Sequence, residues 1–273
     1  MLRILMYALM FYMILRIITL NAVNKRNKGL IDIVNSVNDK EAFFTRISEA
    51  IENAQDATYA AKARVLKLWG MAYHDEFFGF EKTLEELNPG DLLTVNKDGS
   101  TGIGQEDSFF YLYLGIPNIL YMNKQDEYRK MLREKVSEYD EKLSDQIVKV
   151  LGDSCDLYYD QKDDKGQSFF QRLLEGDYAE YVYAKSLIGL YKSIAETMLA
   201  RIYKDIGDEE KFEGTLDGLR YFNSSGIGAR WIRAMDLTSY LEEKKEEEAL
   251  AEESSEEETA EEDGSEENKE DAE

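Results

Sequence analysis

Apolar residues recur at the spacing of an α-helix through most of the chain, and this pattern predicts an all-α fold. The clearest face belongs to a helix predicted from Thr58 to about His74, and it carries five apolar residues: Ala61, Val65, Leu68, Trp69 and Ala72. Asn38 and Glu41 have the spacing of a capping box, so a helix is expected to start after Asn38. Further helices are predicted at Phe77–Leu87, Phe109–Leu114 and Tyr128–Leu151.

Two segments interrupt this helical pattern. A β-prone run at Leu92–Val95 is followed by the turn-like residues 96–99 and several glycines, which predicts a loop or small hairpin at about 90–106. These glycines lack the strand–loop–helix order and the lysine of a phosphate-binding loop. The acidic stretch Asp153–Gly166 is predicted to be a solvated loop, because its aspartates do not have the spacing of a calcium-binding loop.

The first residues of the chain are almost uniformly apolar, from Ile4 to Val23. Twenty helical residues span roughly 30 Å, the thickness of the hydrocarbon core of a bilayer. Arg16 costs about 2.5 to 3.5 kcal/mol at the centre of such a helix, and the apolar side chains more than offset this cost. Residues 1–24 are therefore predicted to be a transmembrane anchor, and a cleaved signal peptide, a buried helix and an interfacial helix are the alternatives.

The charges beside this segment predict its orientation. Lys25, Arg26 and Lys28 follow it and only Arg3 precedes it, so the positive-inside rule places the body of the protein in the cytoplasm. Arg16 has two interpretations: it pairs with an acidic residue of a partner's membrane helix, or its side chain extends to the nearer interface.

Charge is distributed very unevenly along the 273 residues. The formal net charge is −23, and the segment from Glu242 to the end contributes −15 of it, with 18 acidic and 3 basic residues. This segment has too few large apolar residues to offset the entropy of ordering, so residues 241–273 are predicted to form an acidic tail that is disordered after an initial helical stretch. The tail is either a solubilising segment or a contact for a basic partner. So acidic a chain is not expected to bind nucleic acid.

A family resemblance lies at Leu199–Leu219. This segment resembles a tetratricopeptide repeat (TPR), although Phe212 stands where that family has a small residue. The residues that carry the resemblance are Leu199, Ala200, Tyr203, Gly207, Leu216 and Leu219. Gly176 and the segment Glu81–Pro89 resemble other parts of the repeat more weakly. The resemblance implies an array of antiparallel helix pairs over residues 25–240 with a surface that binds peptides or proteins, and a generic helical bundle is the alternative.

Candidate catalytic chemistry is sparse. Cys155 is the one cysteine and His74 the one histidine, which excludes Cys- and His-rich metal sites within one chain. His74, Asp75 and Glu76 form the best cluster, but neither a zinc-binding helix motif nor a serine elbow accompanies it. Acidic neighbours make Cys155 a poor nucleophile. The sequence therefore predicts a non-enzyme without cofactor or metal.

The sequence as a whole favours a single-pass membrane scaffold or adaptor of bacterial style. Its helical-repeat surface would bind a protein partner, and residues 4–23 would hold it in the membrane. The alternative is a structural subunit of a membrane complex, held through the anchor helix and Arg16.

Overall fold

The computed structural model describes residues 29–95, 101–102, 106–223 and 226–246. The predicted anchor, with Arg16, and the tail beyond Glu246 lie outside the described residues. Within the described ranges, no helix is both long enough and apolar enough to cross a bilayer. The chain divides into two compact units, Met1–Ser144 and Asp145–Glu273, so the body expected as one domain at 25–240 is split between them.

The described residues of unit 1 form helices and one very small hairpin, in agreement with the all-α prediction. Residues 29–35 are helical and precede helices α1 to α6. These are Lys40–Glu52 (α1), Ala57–Tyr73 (α2), Phe80–Glu86 (α3), Glu106–Phe110 (α4), Ile116–Met122 (α5) and Asp126–Ser137 (α6). Tyr111–Gly115 is a π-helical turn that joins α4 to α5, and 3-10 turns lie at Pro89–Leu92 and Asp140–Lys142.

A very small hairpin lies within the segment at about 90–106, for which the sequence predicts a loop or small hairpin. Strand β1 (Thr94–Val95) pairs antiparallel with β2 (Thr101–Gly102), with Thr94 opposite Gly102 and Val95 opposite Thr101. Two residues per strand give too little pairing for stability alone, so the hairpin depends on the helices around it.

The core of unit 1 forms where α1 packs on α2. The five apolar residues predicted for the face of α2 are all buried. Phe43 of α1 lies against Gly70 so closely that a Cβ at Gly70 would overlap its ring. Asp39, and not Asn38, caps α1, because its side chain accepts a 3.0 Å hydrogen bond from the amide of Ala42. Asn38 instead accepts a hydrogen bond from the hydroxyl of Tyr73 at 2.9 Å.

Unit 2 contains helices α7 to α11 and a last helical segment at residues 238–246. The five helices are Gln146–Tyr159 (α7), Gln167–Glu175 (α8), Ile188–Ile206 (α9), Glu209–Asn223 (α10) and Gly226–Ala234 (α11). Helix α9 lies at the centre of the unit and packs against α7, α8, α10 and α11.

Two predicted boundaries near the start of unit 2 are wrong. The helix expected at Tyr128–Leu151 is broken after Ser137, and α7 begins after Asp145, whose side chain caps it by accepting a hydrogen bond from the amide of Val148 at 3.1 Å. The loop expected at Asp153–Gly166 is helical as far as Tyr159. Ser154 and Cys155 are buried on the inner face of α7, and their burial favours helix over loop.

Candidate functional site

The helix pair α9–α10 coincides with the segment that resembles a repeat. Gly207 joins the two helices with a positive φ of 74°, which a residue without a Cβ adopts easily. The amide of Asp208 donates to the carbonyl of Tyr203 at 3.0 Å, which closes the end of α9. The side chain of Asp208 accepts from the amide of Lys211 at 3.3 Å and so caps α10.

The residues that carry the resemblance lie in and beside the contact between these helices. Five are buried, each at most 5% exposed: Leu199, Ala200, Tyr203, Leu216 and Leu219. Gly207 forms the turn. Small and large side chains thus alternate between two closely packed helices, as expected for a helix pair of a repeat protein.

Phe212, the departure from the repeat pattern, is accommodated by the helical segment 238–246. Its ring is 1% exposed and meets the ring of Tyr240 edge-on, with a centroid distance of 5.2 Å. The ammonium of Lys204 lies 4.9 Å from the centroid of Phe212 and 4.6 Å from that of Tyr240. A third helical segment therefore covers the position at which the family has a small residue.

Glu196 has an unusual position on this helix pair. Its half-buried carboxylate lies directly over Gly218 of α10, in the space that a Cβ at residue 218 would occupy. Burial raises the pKa of the Glu196 carboxyl above its ordinary value. No hydrogen bond or ion pair from the described residues compensates this carboxylate. We call Glu196, Gly214 and Gly218 the notch, because both glycines are exposed on α10 and the helix has no side chain at these two positions.

Two other charged residues of α9, Arg201 and Asp205, make contacts within the unit. Arg201 lies 2.9 Å from a carboxylate oxygen of Asp205 and donates to the carbonyl of Met235 at 3.2 Å. The hydroxyl of Tyr158 donates to the second carboxylate oxygen of Asp205 at 3.1 Å. These contacts tie α9 to α7 and to the segment after α11. In contrast to Asp205, the Glu196 carboxylate of α9 has no such contact among the described residues.

The weaker resemblances do not form similar helix pairs. Gly176 ends α8 with a φ of 87°, but α9 starts only at Ile188. A long connection therefore stands in place of the short turn of a repeat. Arg172 holds the start of this connection, donating to Asp177 at 2.8 Å and to Glu180 at 2.5 Å. The segment Glu81–Pro89 contains most of α3, which is one of the shortest helices described, and the start of the following 3-10 turn.

The cluster around His74 is engaged in packing unit 1. His74 Nε2 is 2.7 Å from the carbonyl oxygen of Val37, and its ring lies beside Phe44 at 5.8 Å. Lys40 donates to Glu76 at 2.8 Å, and this hydrogen bond lowers the pKa of the Glu76 carboxyl. Among the described residues, no group of three or more His, Cys, Asp or Glu side chains is arranged to hold a metal ion.

Comparison with known protein families, curated proteins and solved structures finds no match to this chain. The structure contains helices packed in pairs, which is compatible with a helical repeat. Because no family matches, the tetratricopeptide assignment remains a resemblance. The notch was not predicted from the sequence. The spacing Gly214-x-x-x-Gly218 within a helix that is otherwise rich in charged residues is the signal that would have pointed to it.

Proposed function

We propose that this protein is a membrane-tethered scaffold or adaptor that binds a protein partner through the surface of the α9–α10 pair. The observation that carries the proposal is the uncompensated, half-buried carboxylate of Glu196 in the notch. Partial burial of a charge without a counter-ion is unfavourable, and a partner that supplies a cation reduces that cost.

The kind of partner follows from the shape and charge of the notch. Gly214 has nothing within 4 Å of the Cβ position, so a partner's backbone or long side chain can approach α10 closely there. A lysine or arginine of the partner then reaches Glu196 and forms a charge-assisted hydrogen bond. The tetratricopeptide-like arrangement of the pair agrees with binding of a peptide segment.

The remaining parts of the proposal rest on the sequence. Residues 4–23 anchor the protein in a membrane, with its body in the cytoplasm, and the acidic tail attracts the same basic partner at long range. We further propose that the protein has no catalytic activity of its own, since His74 is used in packing unit 1.

The experiment is capture of partners by the full chain from detergent-solubilised membranes, identified by mass spectrometry. Three baits are compared: wild type, Glu196→Lys, and Glu210→Lys as a matched control at an exposed position of α10. We expect a partner that wild type and Glu210→Lys retain and Glu196→Lys loses. Equal capture by all three baits would contradict the proposal.

A fourth bait separates the adaptor from a subunit held through its membrane helix. In this bait an unrelated membrane helix, without Arg16, replaces residues 4–23. An adaptor keeps its partner, because the notch is unchanged. Loss of the partner on this exchange alone would assign the contact to the anchor.

A further inference from the structure

The described residues of unit 1 leave three large apolar side chains exposed. Phe78 is 93% exposed, Ile31 59% and Met122 37%. Phe78 belongs to the turn between α2 and α3, whose neighbouring aromatic residues are used in packing. Phe80 is fully buried, and the ring of Phe77 stacks on Tyr128 with a centroid distance of 5.3 Å.

The backbone of this turn holds Phe78 outward. Asp75 and Gly79 have positive φ angles of 54° and 79°, so the backbone is in the left-handed conformation on both sides of Phe78. The amide of Glu76 donates to the carbonyl of Met71 at 2.8 Å, which closes the end of α2. A non-glycine residue with positive φ is uncommon, and here it fixes the turn that exposes an aromatic ring.

Two hydrogen bonds bring the segments of these three residues together. His74 is bonded to Val37 at 2.7 Å, which links the Phe78 turn to the segment that follows the Ile31 helix. The side-chain amide of Asn123, next to Met122, donates to the carbonyl of Ala72 at 3.0 Å. The exposed apolar residues of unit 1 therefore lie on neighbouring segments around one turn.

The predicted anchor ends close to these segments in sequence. Five residues, 24–28, separate Val23 from Gly29, and they span at most about 20 Å. Tethering at such short range gives a high effective concentration, so even a weak contact with the bilayer is populated. Aromatic and aliphatic side chains gain free energy by entering the boundary between headgroups and acyl chains.

We propose that Phe78, together with Ile31 and Met122, forms a second membrane contact by inserting into the bilayer that holds the anchor. This inference rests on the anchor in the proposed function, but not on the notch or on any protein partner.

The test uses full-length Phe78→Trp in phosphatidylcholine vesicles whose acyl chains are brominated and quench nearby tryptophan. The native Trp69 and Trp231 are 4% and 2% exposed. Their fluorescence is the background, and it is measured with the wild-type protein. Val182→Trp, at a 55% exposed position of unit 2, is the matched control. Flotation of each variant with the vesicles reports the anchor separately.

We expect both variants to float with the vesicles. The emission added by Phe78→Trp should fall by about half relative to unbrominated vesicles, as for a ring at the headgroup–acyl boundary. The emission added by Val182→Trp should stay unchanged.

Two outcomes would contradict the inference in different ways. If both variants float and the tryptophan introduced at position 78 is quenched no more than the one at position 182, the second contact is overturned and the anchor stands. Failure to float would overturn the anchor and this contact together.

Discussion

The hydroxyl of Tyr191 donates a 2.9 Å hydrogen bond to a carboxyl oxygen of Asp145 in the interior of unit 2. The same oxygen accepts from the amide of Ala184 at 3.0 Å, and the other oxygen caps α7 through the amide of Val148 at 3.1 Å. One side chain, 4% exposed, thus joins the start of α7, the connection before α9, and α9 itself. A buried polar group is tolerated in this way when its hydrogen-bonding capacity is used.

Removing Asp145 should destabilise unit 2 strongly. Asp145→Ala loses the helix cap and removes the acceptor of the Tyr191 hydroxyl and of the buried Ala184 amide, at a total cost of about 3 to 5 kcal/mol. Tyr191→Phe loses the hydrogen bond to Asp145 and should cost about 1 to 2 kcal/mol. Urea denaturation measures both values. Tyr181→Phe, at a half-buried tyrosine without a side-chain hydrogen bond among the described residues, is the control and should stay within about 0.5 kcal/mol of wild type.

The two glycines that flank α8 should respond differently to alanine. Gly166 and Gly176 both have positive φ, 70° and 87°, so each substitution costs about 1 to 2 kcal/mol of backbone strain. At Gly166 the new Cβ would also overlap the carbonyl of Ser154, whereas at Gly176 it would meet nothing within 4 Å. Gly166→Ala should therefore be the more destabilising by about 1 to 3 kcal/mol. Equal denaturation midpoints for the two variants would show that α8 does not pack on Ser154 in this way.

The position of Glu196 predicts a pH dependence of stability. Its folded-state pKa is raised by burial, so the folded protein keeps this proton to a higher pH than the unfolded chain does. The stability that the protonated Glu196 provides is therefore lost as the pH rises from the pKa of the unfolded chain through the pKa of the folded protein. Glu196→Gln removes the loss, and its gain over wild type should be larger at about pH 7.5 than at about pH 5. Urea midpoints of both proteins at each pH test this expectation.

Gly218→Ala gives a second test of the same contact. The added Cβ would displace the end of the flexible Glu196 side chain into water, which should restore an ordinary pKa and flatten the pH dependence. Gly214→Ala, one turn earlier, meets nothing and should keep the dependence of wild type. If Gly218→Ala and Gly214→Ala follow identical pH profiles, Glu196 does not lie over Gly218.

The features that the sequence predicts well are local in origin. The buried face of α2 follows from helical periodicity, and the turn at Gly207 agrees with the tetratricopeptide resemblance of the segment around it. The break before α7 was missed because its cause is the capping of α7 by Asp145, whose second oxygen bonds Ala184 and Tyr191, both distant in sequence. Helical periodicity alone does not register such a contact.

The candidate site illustrates the same limit. The tetratricopeptide-like residues are visible in the sequence because they fill the space between two adjacent helices. The notch depends instead on which faces of α9 and α10 meet, since only the packed pair brings the Glu196 carboxylate over Gly218. The role of Phe212 likewise depends on Tyr240, which lies on a later helical segment.

The close approach of Phe43 and Gly70 allows a test of the core of unit 1. Gly70→Ala places a Cβ against the buried Phe43 ring, and overpacking of this kind costs about 1 to 3 kcal/mol despite the better helix propensity of alanine. Phe43→Leu removes ring atoms at the point of overlap, so it should relieve part of that strain. The loss of unfolding free energy in the double variant should then be smaller than the sum of the losses in the two single variants. We expect a difference of about 1 kcal/mol in a double-mutant cycle measured by urea denaturation. Purely additive costs would place the Phe43 ring away from Gly70. As a control, Phe80→Leu with Gly70→Ala should be additive, because Phe80 is not among the nearest neighbours of the Gly70 position.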